Sequence, residues 1–425
     1  MSEYRGYHGR ALQFLKENSI RVGDTVTITT DSEHIATIMP RYEHSDDLHI
    51  VVKLKSGYNV GLELDKIKKI KFVSSAPAAM AEQSSPQQDP SLPKILLLST
   101  GGTIASRVDY RTGSVTPALS AQELNASVPE LSSIANIDAE VLFSEYSENI
   151  TPEHWVKTAC KLDSYADSEY AGIIVAHGTD TMQYTAAFLS FSLAGFPKPI
   201  VLVGSQRSSD RPSSDAALNL IAAARFIAQM RTPGVFVAMH NSLSDDDVAC
   251  HLGTRVRKNH TSRRDAFETV GAPPAFIVTQ SDIISNLKSP YFAKNKYTPK
   301  ITVDTSVVLV KYHPGYDPQN LDYTIERGCK AIIFEGTGLG HVGKSMYDMV
   351  RKARQKEIFV GMTSQCIDGR VNMAVYESGR DLLDIGIVPL ADMLPEVALV
   401  KAMWAAGQGS IKEIMTRKVA SEFTE

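Results

Sequence analysis

The sequence predicts an α/β protein: a two-lobe parallel-sheet body preceded by a small all-β barrel-like N-terminal domain. Three observations predict it. From residue 94 onward, short continuous aliphatic runs recur with helical patterns between them. Before that point the strands are short, alternating and separated by turn signals. The stretch Ser74 to Pro93, rich in Ala, Ser, Pro and Gln, has linker composition and divides the two parts. The predicted division is a module over 1–75, a linker over 76–93, a larger lobe over 94–290 and a smaller lobe over 300–425. The polar segment Tyr291–Pro299 marks the boundary between the lobes.

Each element follows from local pattern. In the module, a helix is expected over Tyr7–Asn18 and a turn at Arg21–Asp24. Strands are expected over Thr25–Thr29, Ile35–Ile38, His49–Leu54 and Tyr58–Leu64, with a hairpin turn at Ser56-Gly57. Lys66, Lys68, Lys69 and Lys71 form a cluster that could meet phosphates; it is read in preference as a solvated barrel edge. In the body, the aliphatic runs are Lys94–Leu98, Gly172–Ala176, Pro199–Val203, Val235–Ala238, Ser306–Val310, Ala331–Phe334 and Ile358–Gly361. Runs of this kind are strands covered on both faces. Helices are expected over Thr151–Tyr165, Thr181–Leu193 and Ser214–Met230.

Composition narrows the function. The 425 residues are 43 % hydrophobic and 22 % charged, which excludes collagen, long coiled coil and wholesale disorder. A net charge of −4 makes the chain no polycation, so any contact with nucleic acid needs a local patch or a partner. The four cysteines lie in no zinc-ligand spacing and are expected to be free, buried thiols. The N-terminal residues lack a signal-peptide core, and no apolar run reaches the roughly 20 residues of a membrane span. A soluble, cytoplasmic protein is expected.

Ligands of open parallel sheets bind beyond the carboxyl ends of the strands. The turns after the first three body strands are therefore informative: Ser99–Ser106 (STGGTIAS), His177–Met182 (HGTDTM) and Gly204–Arg207 (GSQR). Glycines let backbone approach a substrate, and hydroxyls and amide N–H groups can hold an oxyanion. A threonine hydroxyl is a weak nucleophile that needs a base or a polarising neighbour, and Asp180 stands beside Thr179. Taken singly, each motif could be a phosphate-binding turn or a helix cap. Together, after strands of one sheet, they are more specific.

TGGTIAS at 100–106 and HGTDTM at 177–182 resemble the two signatures of bacterial-type asparaginases. Ser147-Glu148 resembles that family's substrate head-group pair, and Gly253–Lys258 followed by Ala266-Phe267 resembles the segment carrying its lysine. The module and linker ahead of this asparaginase-like body resemble the asparaginase-like D subunits of archaeal glutamyl-tRNA(Gln) amidotransferases. The resemblance implies that Thr103 and Thr179 are the two candidate nucleophiles, with Thr179 polarised through Asp180 and Lys258. It implies that Ser147 and Glu148 grip the amino-acid head group, that Tyr110 assists the first threonine, and that backbone N–H groups near Gly102 or Gly178 hold the oxyanion.

By the same resemblance the substrate is glutamine, hydrolysed to supply ammonia for converting Glu-tRNA(Gln) to Gln-tRNA(Gln). The partner is the E chain of the amidotransferase, in a heterotetramer of two D and two E chains around a D homodimer core. The tRNA, ATP and magnesium belong mainly to that partner, and no cofactor or metal is expected in this chain. The alternatives are a stand-alone cytoplasmic L-asparaginase and a non-catalytic protein that keeps the fold.

Other motifs read more blandly. His177 is expected to be a satisfied structural histidine, Asp245–Asp247 an exposed acidic loop, and the basic run Arg255–Arg264, Lys258 apart, a solvated face. Gly336–Val342 reads as a strand–helix turn, not a dinucleotide site.

Overall fold

The computed structural model describes residues 4, 6–41, 45–54, 59–75, 89–102, 106–108, 115–117, 128–207, 213–287 and 297–424. In the N-terminal module, α1 (Gly9–Glu17) precedes β1 (Thr25–Thr29), β2 (Glu33–Ile38), β3 (His49–Leu54), β4 (Asn59–Glu63) and β5 (Lys69–Ser74). Ala11 and Leu15 lie one helical turn apart and bury the same face of α1 against Val26, Ile28, Ile38 and Ile50. The antiparallel sheet runs β4-β3-β2-β1-β5. Among the described residues no ladder joins β4 to β5. The pattern of expected strands stops at Leu64 and misses β5, whose apolar residues are interrupted by lysines. β5 is an edge strand, and Lys69, Lys71, Phe72 and Val73 on it are exposed.

The larger lobe holds β6 (Lys94–Gly101), β7 (Ser106–Val108), β8 (Val115–Pro117), β9 (Asn136–Glu145), β10 (Gly172–Ala176), β11 (Pro199–Val203), β12 (Gly234–His240), β13 (Asp247–Leu252), β14 (Val256–Lys258), β15 (Phe267–Thr269), β16 (Phe276–Thr279) and β17 (Ile283–Ser285). Its helices are α2 (Pro152–Asp163), α3 (Met182–Ser192) and α4 (Ala216–Met230). The main sheet runs β17-β16-β13-β12-β11-β10-β6-β9. The five strands from β12 to β9 are parallel, whereas β13, β16 and β17 continue it antiparallel. Every residue of β10 and β11 is buried. Ile173, Val175, Ile200 and Leu202 face the core shared with α3, while Ile174, Ala176, Val201 and Val203 face the core shared with α4. That two-sided burial is why these strands read as continuous apolar runs.

The smaller lobe holds β18 (Val307–Lys311), β19 (Ala331–Gly336), β20 (Phe359–Ser364) and β21 (Val388–Pro389), parallel and in sequence order. Its helices are α5 (Gln319–Glu326), α6 (Tyr347–Gln355), α7 (Glu377–Ile385), α8 (Pro395–Ala406) and α9 (Ile411–Thr416). One apolar core runs from α3 and the main sheet into β19, β20 and α8. Phe191 of α3 stacks on Trp404 of α8 with ring centroids 5.6 Å apart. Residues 76–88 of the expected linker, the Ser56-Gly57 turn and the boundary segment through Lys296 lie outside the described residues.

All four cysteines are free, but only Cys250 and Cys329 are buried; Cys160 and Cys366 are exposed, contrary to the expectation of four buried thiols. No helix among the described residues is long and apolar enough to cross a membrane.

Candidate active site

Parallel pairing places the turns after β6, β10 and β11 at one end of the sheet, with Ala176 opposite Ser99 on one side and Val203 on the other. Ser147 joins them, because β9 runs parallel to β6 and ends at Glu145 beside Gly101. The turns are in close contact. Gly102 has φ +79°, and a Cβ there would lie 2.7 Å from the Gly178 nitrogen. A Cβ on Gly178 would lie 2.7 Å from Cβ of Ser147. Only glycine permits both approaches, and they bring backbone of both turns to one place. Thr100 adds a tie by donating its hydroxyl to the Ala176 carbonyl at 2.9 Å.

Thr179 and Asp180 stand between β10 and α3. The Lys258 ammonium donates to Thr179 Oγ1 at 2.8 Å and to Asp180 Oδ1 at 2.6 Å. Ser147 donates to Asp180 Oδ2 at 3.3 Å, and Thr181 donates to the Ser147 carbonyl at 2.7 Å. Ser147 is buried and Glu148 is exposed in the same turn. The structure thus brings Gly102, Ser147, Gly178, Thr179, Asp180 and Lys258 together. Thr103 and Tyr110 lie outside the described residues.

Lys258 ends β14, which pairs with β15 in a two-stranded ribbon apart from the main sheet, Lys258 opposite Phe267. Its backbone N–H donates to Gln183 Oε1 at 2.9 Å. Gln183 is a buried amide on a helix that also buries Thr185, Ser190 and Ser192, so nothing in the sequence set it apart. Sequence reasoning also missed the buried Asp215, which accepts the N–H groups of Gln206 and Arg207 at 3.0 and 2.9 Å and so fixes the third turn.

His177 is held at both ring nitrogens, Nδ1 by the Gly178 carbonyl at 2.7 Å and Nε2 by Thr185 Oγ1 at 2.9 Å. Burial pulls its pKa down to about 4, so it is neutral and structural at pH 7. Asp245 pairs with Arg264 at 2.5 Å, and Asp246 and Asp247 accept side-chain bonds from Ser244 and Asn241. Among the described residues no three His, Cys, Asp or Glu side chains gather as a metal site. The run Arg255–Arg264 is a solvated face only in part: residues 259–263 are exposed as expected, whereas Arg255 is buried and Arg257 half-buried. Arg255 pairs with Asp392 at 3.0 Å and Arg257 with Glu396 at 3.2 Å, both acids from the smaller lobe.

An ammonium donating to a hydroxyl oxygen favours negative charge developing there, and a carboxylate on the same ammonium fixes its position. With glycine backbone alongside, the arrangement suits attack by a hydroxyl on a carbonyl carbon.

The chain is also similar to known proteins along its length. Residues 94–291 match the asparaginase N-terminal domain family, 306–417 the glutaminase/asparaginase C-terminal domain and 20–73 the GatD N-terminal domain. The D subunit of the Methanopyrus kandleri glutamyl-tRNA(Gln) amidotransferase is 45 % identical over 99 % of this chain and 95 % of its own. That of Pyrococcus abyssi is 43 % identical over 98 % of both chains. Among solved structures, the thermostable L-asparaginase from Thermococcus kodakarensis is 34 % identical with a TM-score of 0.69, over 78 % of this chain and 99 % of that one. Near-complete alignment with these relatives, module and both lobes included, shows that the chain belongs to the family of glutamyl-tRNA(Gln) amidotransferase D subunits.

Proposed function

We propose that this chain is the glutamine-hydrolysing subunit of a glutamyl-tRNA(Gln) amidotransferase. The observation that carries the reading is the Lys258 ammonium bridging Thr179 Oγ1 and Asp180 Oδ1 at the mouth of the two glycine turns. It is supported by relatives of that name aligned along nearly the whole chain.

In this reading a threonine Oγ attacks the side-chain amide carbon of glutamine. The carbonyl oxygen takes the negative charge and is held by backbone N–H groups near Gly102 or Gly178. The threonine proton passes to the leaving nitrogen, the C–N bond breaks, and ammonia departs from a threonyl ester. Water then attacks the ester and releases glutamate. Thr179, Asp180 and Lys258 move and hold the proton; Thr103 and Thr179 are the two oxygens that could form the ester. Ser147 and Glu148 hold the amino-acid head group.

The ammonia passes to the partner E chain, which binds Glu-tRNA(Gln) and activates it with ATP and magnesium, in an assembly of two D and two E chains about a D homodimer. Coupling hydrolysis to the partner avoids wasteful ammonia release, so glutaminase activity should rise when partner and Glu-tRNA(Gln) are present. The likeness to the Thermococcus kodakarensis L-asparaginase favours one second reading, a stand-alone asparaginase.

Ammonia release from glutamine and from asparagine, each with and without the partner and Glu-tRNA(Gln), separates the two. The proposal expects glutamine to be hydrolysed and to be stimulated. Fast asparagine hydrolysis that ignores the partner and leaves glutamine untouched overturns it. Mass spectrometry of quenched turnover locates the ester on the peptide of Thr103 or of Thr179.

A further inference from the structure

The ribbon that carries Lys258 is held from the smaller lobe by a segment that neither motif points to. After α9 the chain runs back over residues 417–424 against the turn between β13 and β14 that leads into Lys258. Thr254 Oγ1 donates to the Ala420 carbonyl at 2.7 Å, and Arg255 Nε donates to the Ser421 carbonyl at 2.9 Å. Thr254 and Arg255 are both almost wholly buried. The guanidinium of Arg255 continues to Asp392 Oδ2 at 3.0 Å. The other end of the segment closes on the same carboxylate, since Thr424 donates from its backbone N–H to Asp392 Oδ1 at 2.8 Å and from its hydroxyl to Oδ2 at 2.9 Å.

The carbonyls of Ala420 and Ser421 are aimed by a buried ion pair. Glu422 folds back on its own backbone and accepts the N–H groups of Val419 and Ala420, at 3.0 and 2.7 Å from its nearest oxygens. Its Oε1 lies 2.5 Å from Lys401 Nζ, and both side chains are 0 % exposed. The same ammonium lies 5.3 Å from the ring centre of Phe423 and 6.0 Å from that of Phe191 on α3. Two desolvated charges do not add stability by default, because burial costs as much as attraction returns. What such a pair does secure is a single geometry. Ser421, a serine at φ +63°, is kept in the left-handed region by these surroundings.

We propose that the segment 417–424 is a positioning strap for Lys258, with Thr254 and Arg255 as the positioning residues that transmit it. The inference rests on the function proposed above. The ammonium must meet Thr179 and Asp180 together, and its ribbon has no ladder to the main sheet among the described residues. The main sheet holds the start of the turn through Gly253, whose N–H donates to the Val235 carbonyl at 2.9 Å, and Gln183 holds the Lys258 N–H; the strap, through residues three and four positions ahead of Lys258, fixes the turn's side chains between those two points. A displacement of about 1 Å at a reacting group can cost on the order of a hundredfold in rate.

The test uses two point variants and one deletion, with the partner chain where activity requires it. Thr254→Val keeps shape and removes the bond to Ala420; Thr254→Ser keeps that bond. The expected result for Thr254→Val is a kcat for ammonia release from glutamine lowered by about tenfold or more, with KM within about twofold, and recovery in Thr254→Ser. Amide hydrogen exchange of the 254–258 peptide is expected to quicken in Thr254→Val alone. Deletion of 417–425 should reproduce both changes where the deleted chain keeps its cooperative unfolding. Unchanged kcat together with unchanged exchange at 254–258 in Thr254→Val overturns the strap, even if its melting temperature falls. A wild-type chain inactive on glutamine overturns the proposed function instead, and the exchange measurement still decides the strap.

Discussion

Two basic stretches have opposite fates. Lys66, Lys68, Lys69 and Lys71 lie at the edge of the N-terminal sheet, where Lys68 meets Asp31 and Lys66 meets Glu63 at 3.0 Å on open surface and Lys69 and Lys71 stay exposed. From Arg255 to Lys258 the cations turn inward, while Arg263 further along stays exposed. Lys258 meets Thr179 and Asp180, and Arg255 and Arg257 meet Asp392 and Glu396 from the smaller lobe. The difference is not in charge density but in what the fold brings opposite. A guanidinium reached by a carboxylate from another element becomes a fixed strut, whereas a lysine facing water remains a solubilising group.

The largest effect that could break this contrast is at Lys258. Lys258→Met is expected to lower kcat for ammonia release by about 10²–10⁴-fold, the usual share of a positioned proton-transfer group. Lys258→Arg should not restore it, because a planar guanidinium cannot reproduce a point contact to two oxygens. Near-normal turnover in Lys258→Met would remove the inward run from the chemistry.

A smaller effect concerns two buried histidines held neutral. Burial pulls His177 down to about 4 and His251 down to about 3. In the unfolded chain both take up protons near the ordinary pKa of about 6.5, so the native state binds fewer protons below that pH. The stability they confer is complete above pH 6.5 and is lost as pH falls toward their folded values. Each should cost roughly 2 kcal/mol at pH 5 relative to pH 7. Urea unfolding at the two pH values reads this, and coincident transitions would contradict it.

The smallest effect is expected at the module edge. Lys69→Gln and Lys71→Gln should each change unfolding free energy by no more than about 0.5 kcal/mol and leave ammonia release unaltered. A larger loss would mean that these lysines are not mere surface charge.

The same contrast shows what one sequence can disclose. β10 and β11 were legible because burial on both faces leaves an unbroken aliphatic run. β9 was not, since its residues are only half-buried along an edge, and β5 was hidden by its lysines. At the site, residues adjacent in the chain, such as Thr179 and Asp180, could be read together. Asp392, Glu396 and the carbonyls of Ala420 and Ser421 reach the lysine ribbon only through the tertiary fold, and nothing in local pattern announces them. Arg255 therefore read as surface although its side chain is 3 % exposed.

The stack of Phe191 on Trp404 carries a consequence for assembly of the chain. It lies within one apolar core spanning both lobes, beside which the smaller lobe has a further core and the N-terminal module another. Cooperativity follows shared cores rather than visible lobes, so the two lobes should melt as one foldon and the module as another. The helix that begins just after Thr179 packs locally, through Phe188 on Trp155, and distantly, through Phe191 on Trp404, so folding of the body must also close long loops, which slows it. Cutting such a chain between its lobes would yield two unfinished halves rather than two domains.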